Sequence, residues 1–527
     1  MRLLTVLSTL LVTAAAHAAP LDLTSASVRE LGQAMEAGRL DSEMLVTQAL
    51  ARIEAYDDAG PTINAVLHVN ENALAEARAL DNERARSGPR SPWHGIPVLL
   101  KDNIDTADMP TTAGSFLLAG TMPPDDAFLT RRLREAGAIV LGKVNLSEFA
   151  SGGPLSSLGG PTFNPHDPAR SPAGSSGGSG ASVAAAYAPL ALGTDTGGSV
   201  RGPSSANGIV GLKPTLGLLS RDGIVPLALS FDTAGPMTRS VEDLALSLNV
   251  LAAVDDADPA TAAAAEHITP DYTAFLDANA LADARIGIAR DFMGADQEVD
   301  WHVEAALETF REAGAEVVDV HLPPWLLEVR GDFYRTIRFP EFRAQIAEYL
   351  QARDPNGPQS LGDLIAGARA LRARRADGAA PDPSRWSLML RENEASDLDH
   401  PEYRAMHEHG LPLVRAVLQG VFDSESLDAI VYPTSPTRPS RIDPDPRPGS
   451  GPGGGGSAVI LANMSGFPDL IVPAGFTGYG LPVTLSFLGP AFSEPRLIAL
   501  GYAFEQRAQA RRLPITTPPL PGDLIEH

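Results

Sequence analysis

The spacing of apolar positions changes along the chain, and each change marks a different element. Between residues 27 and 57 they recur at helical spacing in "SVRELGQAMEAG" and "DSEMLVTQALARIEAYD"; in the second, Leu45, Ala49, Ile53 and Tyr56 align behind an Asp41-Ser42 cap. A third helical stretch, "ENALAEARALDNERARSG", stops at Gly88. The pattern then contracts to short apolar runs, "GIPVLL" (95–100) and "AIVLG" (138–142), bounded by Gly and Pro as buried strands are. Between them "DDAFLTRRLREAG" is helical, which sets up a strand-helix-strand rhythm.

From Ser151 to Ser182 the chain is dense in Gly, Ser and Pro, yet strand and helix signals flank it and "ASVAAAYAPLAL" follows directly. That context predicts an ordered loop over a core, where functional groups concentrate, and not a linker. Residues 251–425 carry more charge and longer helical patterns, with strand signals at "RIGIAR" and "AEVVDVHLP". Short apolar strands return in "LDAIVYPTSP", "FPDLIVPAGF" and "LPVTLSFLG", and the helix "EPRLIALGYAFEQRAQARR" closes the pattern. Between them "RPGSGPGGGGS" (447–457) reads as a Gly-rich loop, and no internal repeat is present. The expectation is an α/β fold: one large domain with a mixed β-sheet core covered by helices on both faces, a helical N-terminal segment and a helical insertion.

Composition narrows the function. The 527 residues are 44% hydrophobic and 20% charged, ordinary for a soluble globular chain, and the net charge of -24 opposes a polyanionic partner such as nucleic acid. With no cysteine, disulfides, thiol nucleophiles and thiolate metal sites are excluded. "MRLLTVLSTLLVTAAAHA" (1–18) has one Arg, an apolar run and small residues at Ala16 and Ala18, the layout of a signal peptide. It predicts a periplasmic or secreted protein with no membrane contact after cleavage.

Three motifs tempt and fail. "GAIVLGKV" (137–144) nearly matches a phosphate-binding loop, but Val144 replaces the required hydroxyl and the run between the glycines reads as a strand. "GSSGG" (174–178) matches a nucleophile elbow centred on Ser176, but the preceding "ARSPA" forms a turn where the elbow needs a strand. "HEH" (407–409) has no third metal ligand at a usable spacing and reads as a solvated helix face.

Three pieces remain: Lys101 in "GIPVLLKDN", the serines of "SPAGSSGGSGAS", and Ser199 in "GTDTGGSVRGPSS". Lys101 ends an apolar strand. Burial there would lower its pKa, and bringing a lysine from about 10.4 to near 7 or 8 takes about 3 to 4 kcal/mol; in solvent it would be an ordinary strand-end lysine. The backbone N–H groups of Thr196, Gly197, Gly198 and Ser199 can converge as an oxyanion hole, or the glycines can simply make a turn.

These pieces, in this order, resemble the amidase signature family of serine hydrolases, whose hallmark is similar to the run "SPAGSSGGSGASVAAAYAPLALGTDTGGSVRGPSSANGIVGLKPTLGLLSRDGIVP". The resemblance covers roughly residues 40–250, resumes in the C-terminal strands, and is loose over 251–420. It implies a Ser-Ser-Lys triad: Ser199 as nucleophile, Ser175 as a bridging serine after a cis peptide bond, and Lys101 as base. It implies hydrolysis of carboxylic amides through an acyl-enzyme, no metal or organic cofactor, and a small-molecule or peptide amide as substrate. Among members the chain looks most like exported bacterial peptide amidases. An esterase or aryl acylamidase with the same triad, or more remotely a non-catalytic exported binding protein, are the alternatives. Ser176, Thr434 and Ser435 are candidate substrate-binding residues, Asp195 and Arg201 are read as loop scaffolding, and a monomer is expected. Gly202 stands where family members often carry a larger side chain.

In domain terms the expectation is a signal peptide (1–18), an N-terminal helical segment (19–90), a core with the catalytic loops (91–250), a helical pocket insertion (251–420), C-terminal strands and helix (421–515) and a tail (516–527).

Overall fold

The computed structural model describes residues 20–374, 385–442 and 459–526. The signal-peptide expectation and the Gly-rich run 447–457 lie outside the described residues. The strands in chain order are β1 (Leu21–Asp22), β2 (Val66–Val69), β3 (Pro97–Lys101), β4 (Ile139–Val144), β5 (Leu155–Ser156), β6 (Gly160–Pro161), β7 (Leu190–Asp195) and β8 (Val210–Lys213). They continue with β9 (Thr233–Thr238), β10 (Arg285–Ala289), β11 (Glu316–Val320), β12 (Ala429–Pro433), β13 (Asp469–Phe476), β14 (Pro482–Leu488) and β15 (Leu524–Ile525). Eleven of them form one sheet in the order β11-β10-β12-β14-β13-β8-β9-β7-β3-β4-β2. The pairs β3–β4, β3–β7, β10–β11 and β10–β12 are parallel and the others antiparallel, so the sheet is mixed.

Strand alternation divides the core into two layers. Val98, Leu100, Val140, Leu190 and Leu192 join a cluster under the helices Val28–Glu36, Phe128–Glu135, Val241–Leu251 and Glu494–Ala508. Their neighbours Leu99, Ile139, Leu141 and Ala191 join a second cluster under Ser42–Ile53, Ala73–Ser87 and Gly177–Ala184. Helices therefore cover both faces, as the sequence pattern predicts. The cap at Asp41 is present, its carboxylate accepting the Met44 N–H at 2.7 Å.

The span 251–420 supplies β10 and β11 to the sheet, and between β11 and β12 its longest helix, Pro324–Arg353, continues through Pro340. Its Phe342, Ile346 and Leu350 pack with Phe149, Ala150, Val225 and Leu227, residues of the core's loops. Phe333 and Ile337 of the same helix join another cluster with Phe231 and Leu461. The Pro324–Arg353 helix is thus seated on the loops at one end of the sheet.

Candidate active site

Parallel β3 and β7 are neighbours, with Leu100 level with Leu192. Their C-terminal ends therefore open side by side, where sheets of this kind bind ligands. Lys101 ends β3, and Thr194-Asp195 ends β7. Lys101 is fully buried, with Nζ 2.7 Å from Ser175 Oγ, 2.7 Å from Thr194 Oγ1 and 3.4 Å from the Thr194 carbonyl. Burial lowers its pKa from 10.5 to about 7, against the carboxylates of Asp195 and Asp232, which raise it. Nζ is within hydrogen-bond reach of three oxygens, and a neutral amine there could exchange a proton with the Ser175 hydroxyl. Asn103 Nδ2 also donates to Thr194 Oγ1, at 3.0 Å, and braces this arrangement.

Ser175 is buried and follows Gly174 through a cis peptide bond. Its carbonyl accepts the Ser147 N–H at 2.9 Å, immediately before the helix Gly177–Ala184 begins. The next residue, Ser176, spends its hydroxyl on the end of β7: Oγ donates to the Thr194 carbonyl at 3.2 Å and accepts the Thr194 N–H at 3.3 Å.

Ser199 is half-buried just before the helix Arg201–Asn207. The loop that carries it is wrapped around the Asp195 carboxylate, which accepts the N–H groups of Gly198 at 2.7 Å and Val200 at 2.9 Å. Arg201 grips the same carboxylate through Nε at 3.1 Å and Nη2 at 3.0 Å, and Asn463 Nδ2 adds a bond of 2.9 Å. Burial alone would raise the pKa of Asp195, but the Arg201 charge and these donors hold it well below the carboxylate range. Arg201 also donates to Asp469 at 2.9 Å. The scaffolding roles expected for Asp195 and Arg201 are the contacts seen. Gly198 has φ +112°, a conformation that favours glycine, and this lets the loop fold back on Asp195.

The two serine loops are joined directly, since the Ser176 N–H donates to the Ser199 carbonyl at 3.2 Å. Among the described residues, Ser199 Oγ has no hydrogen-bond partner, and neither do the N–H groups of Gly197 and Ser199. The fourfold oxyanion hole is corrected at one place: the Gly198 N–H is committed to Asp195, because that bond shapes the loop. Ser176, Thr434 and Ser435, the candidate substrate-binding residues, all make hydrogen bonds within the protein. Ser176 braces β7, buried Thr434 accepts a bond from Ser486 Oγ at 3.1 Å, and Ser435 donates to the Thr437 carbonyl at 2.7 Å. All three hydroxyls satisfy the protein's own polar groups.

Sequence reasoning missed Thr194, Asn103, Asp232 and Asn463. The first two sit inside the quoted motifs, and their closeness to Lys101 and Ser199 was the available signal. Asp232 accepts the Thr196 hydroxyl and the N–H groups of Leu227 and Ala228, which ties that turn to the Ser199 loop.

Comparison with known proteins places this geometry. The amidase family pattern matches residues 44–498. The chain is 37% identical over 488 residues to a glutamyl-tRNA(Gln) amidotransferase subunit of Halorhodospira halophila, covering 91% of this chain and 96% of that one. Among solved structures it is similar to the native peptide amidase of Stenotrophomonas maltophilia, with 42% identity, a TM-score of 0.85 and coverage of 93% and 98% of the two chains. An amidase family protein from Bacillus anthracis gives 32% identity, a TM-score of 0.82 and coverage of 93% and 92%. The chain belongs to the amidase family and is an enzyme that hydrolyses carboxylic amide C–N bonds.

The same relatives overturn the exported address. Proteins named for a charged tRNA have a cytoplasmic substrate, and they match this chain over about nine-tenths of its length. A short apolar run after a single Arg is a compositional pattern only, and it does not carry export against that likeness. The expected monomer also lacks support, because these relatives are named as parts of a larger enzyme.

Proposed function

We propose that this amidase works through Ser199, Ser175 and Lys101 and releases ammonia from C-terminal carboxamides of peptides. The carrying observation is the buried Lys101 Nζ, 2.7 Å from Ser175 Oγ, with a pKa brought down to about 7. Neutral Lys101 takes the proton of Ser175, and Ser175 takes the proton of Ser199 as Oγ attacks the amide carbon. The proton returns by the same route to the departing nitrogen, which leaves as ammonia. Water then hydrolyses the acyl-Ser199 ester with the same groups acting as base and acid. In this structure the two serine loops are joined by the Ser176 N–H and the Ser199 carbonyl; bound substrate draws the hydroxyls of Ser175 and Ser199 together, as catalytic bonds commonly tighten in the Michaelis complex. The unpaired N–H groups of Gly197 and Ser199 are available to the oxyanion.

Two observations favour a peptide carboxamide. The likeness to a peptide amidase is 42% identity over 93% of this chain, and a net charge of -24 opposes a tRNA substrate. The second reading, one component of an amidotransferase for charged tRNA, rests on the 37% identity to such proteins. Ammonium release by the full chain from peptide amides, simple aliphatic amides, glutamine and matched esters, with Ser199→Ala in parallel, tests the proposal. Release from peptide amides by wild type alone supports it. Release from glutamine alone favours the second reading, faster ester cleavage favours the esterase, and undiminished activity of Ser199→Ala removes Ser199 from the mechanism.

A further inference from the structure

We propose that Tyr334, in the insertion, is a substrate-contacting residue: its hydroxyl donates a hydrogen bond to the amide held at Ser199. The inference rests on the Ser199 reading above and adds a residue that no motif in the sequence points to.

Tyr334 belongs to the helix Pro324–Arg353, yet it lies against the nucleophile loop. A Cβ on Gly197 would come within 2.9 Å of Tyr334 Oη and 3.1 Å of its Cζ, so the phenol rests on the face that glycine leaves bare. The ring is held in place by Phe231, with centroids 5.1 Å apart. The helix is anchored within two turns beyond the contact. One turn on, Arg338 donates to Ser151 Oγ at 3.0 Å and pairs with Glu392 at 2.5 Å. Glu341 accepts the Ser230 N–H at 3.0 Å and the Tyr403 hydroxyl at 2.9 Å.

Against this fixed background the hydroxyl stands out. Tyr334 is half-buried, and among the described residues Oη has no hydrogen-bond partner. The phenol tip thus lies against Gly197, two residues from Ser199, in a loop whose Gly197 N–H and Ser199 Oγ are also without partners among the described residues. Burial raises its pKa above the ordinary value, with Arg338 opposing and Asp232 and Asp195 reinforcing, so the group stays a neutral donor. A neutral donor suits a carbonyl that becomes an oxyanion, because its bond strengthens as charge develops.

Tyr334→Phe removes the hydroxyl and keeps the ring against Phe231; Tyr334→Ala removes both. Initial rates on an N-acylated dipeptide amide, with melting temperatures and Ser199→Ala in the same series, separate the possibilities. The expected result is a fall in kcat/KM of roughly 10- to 100-fold for Tyr334→Phe, with an unchanged melting temperature. A fall mainly in kcat assigns the bond to the transition state, and a rise mainly in KM assigns it to substrate binding; both support contact. Wild-type kcat/KM in Tyr334→Phe, with loss only in Tyr334→Ala, makes the role packing and overturns the proposal. If Ser199→Ala keeps full activity, the nucleophile assignment itself falls, a result distinct from an active Tyr334→Phe beside a dead Ser199→Ala.

Discussion

On the proposed mechanism, acidification through neutrality should remove activity by protonating Lys101, with a midpoint near 7. Burial brings the lysine from 10.5 to about 7, a displacement worth about 5 kcal/mol at 1.36 kcal/mol per unit. The neutral fraction is then about 90% at pH 8, about 10% at pH 6 and about 1% at pH 5. For an uncharged amide, kcat/KM should be level above pH 8, half-maximal near 7, and fall about tenfold per unit below 6. An ordinary lysine would be only about 0.03% neutral at pH 7, and its rate would keep climbing to pH 10. Asp232→Asn supplies the second arm. Its carboxylate raises the Lys101 pKa, so its removal shifts the acid limb to lower pH. The assay is ammonium release from pH 5 to 10, with enzyme preincubated at each pH and returned to pH 8 to exclude denaturation. A midpoint above 9, a flat profile from pH 5 to 8, or an upward shift in Asp232→Asn would each refute the reasoning.

Three further outcomes are expected. Lys101→Met abolishes turnover yet raises the melting temperature at pH 7. The unfolded lysine holds its proton up to about 10.5 while the folded one loses it at about 7, so stability rises with pH between those values and the penalty is full below them; the wild-type and variant melting temperatures should converge toward pH 10.5. Arg201→Met strands the buried carboxylates of Asp195 and Asp469 and should cost about 3 to 5 kcal/mol in urea unfolding. Gly202→Ala is tolerated, because its Cβ meets nothing closer than Ala173 Cβ at 3.8 Å; unchanged kcat/KM and a stability gain of up to about 1 kcal/mol check it.

The sheet was legible where strands are apolar runs. β3, β4, β13 and β14 announce themselves, because a strand buried on both faces has no polar positions to interrupt it. β8 and β9 gave no such signal: "VGLK" is short, and "TAGPMT" carries Gly235 and Pro236 in a strand lying between β8 and β7. "ASVAAAYAPLAL" reads as one segment but spans the end of a helix and the start of β7, separated by a turn in which Ala186 has φ +59°. The Pro324–Arg353 helix runs through a proline that sequence rules would use to end it. At the proposed site, Lys101, Ser175 and Ser199 stood out in the sequence through the resemblance to the amidase signature family, and folding sets Lys101 Nζ 2.7 Å from Ser175 Oγ. Thr194 and Tyr334 did not stand out, since a threonine at a strand end and a tyrosine on a helix acquire meaning only from what folding brings beside them.

The Arg201–Asp469 bond spans 268 residues of sequence, and this has a consequence for the order of events during synthesis. The loop bearing Ser199 emerges from the ribosome long before the strand that anchors its arginine. At 5–20 residues per second, roughly 13 to 54 seconds separate them. Throughout that interval Asp195 lacks Asn463 and Arg201 lacks Asp469, so the loop has no frame to hold the serine in attacking position. On the proposed mechanism the nascent chain carries Ser199 unarmed, and hydrolytic competence arrives only when β13 enters the middle of the sheet.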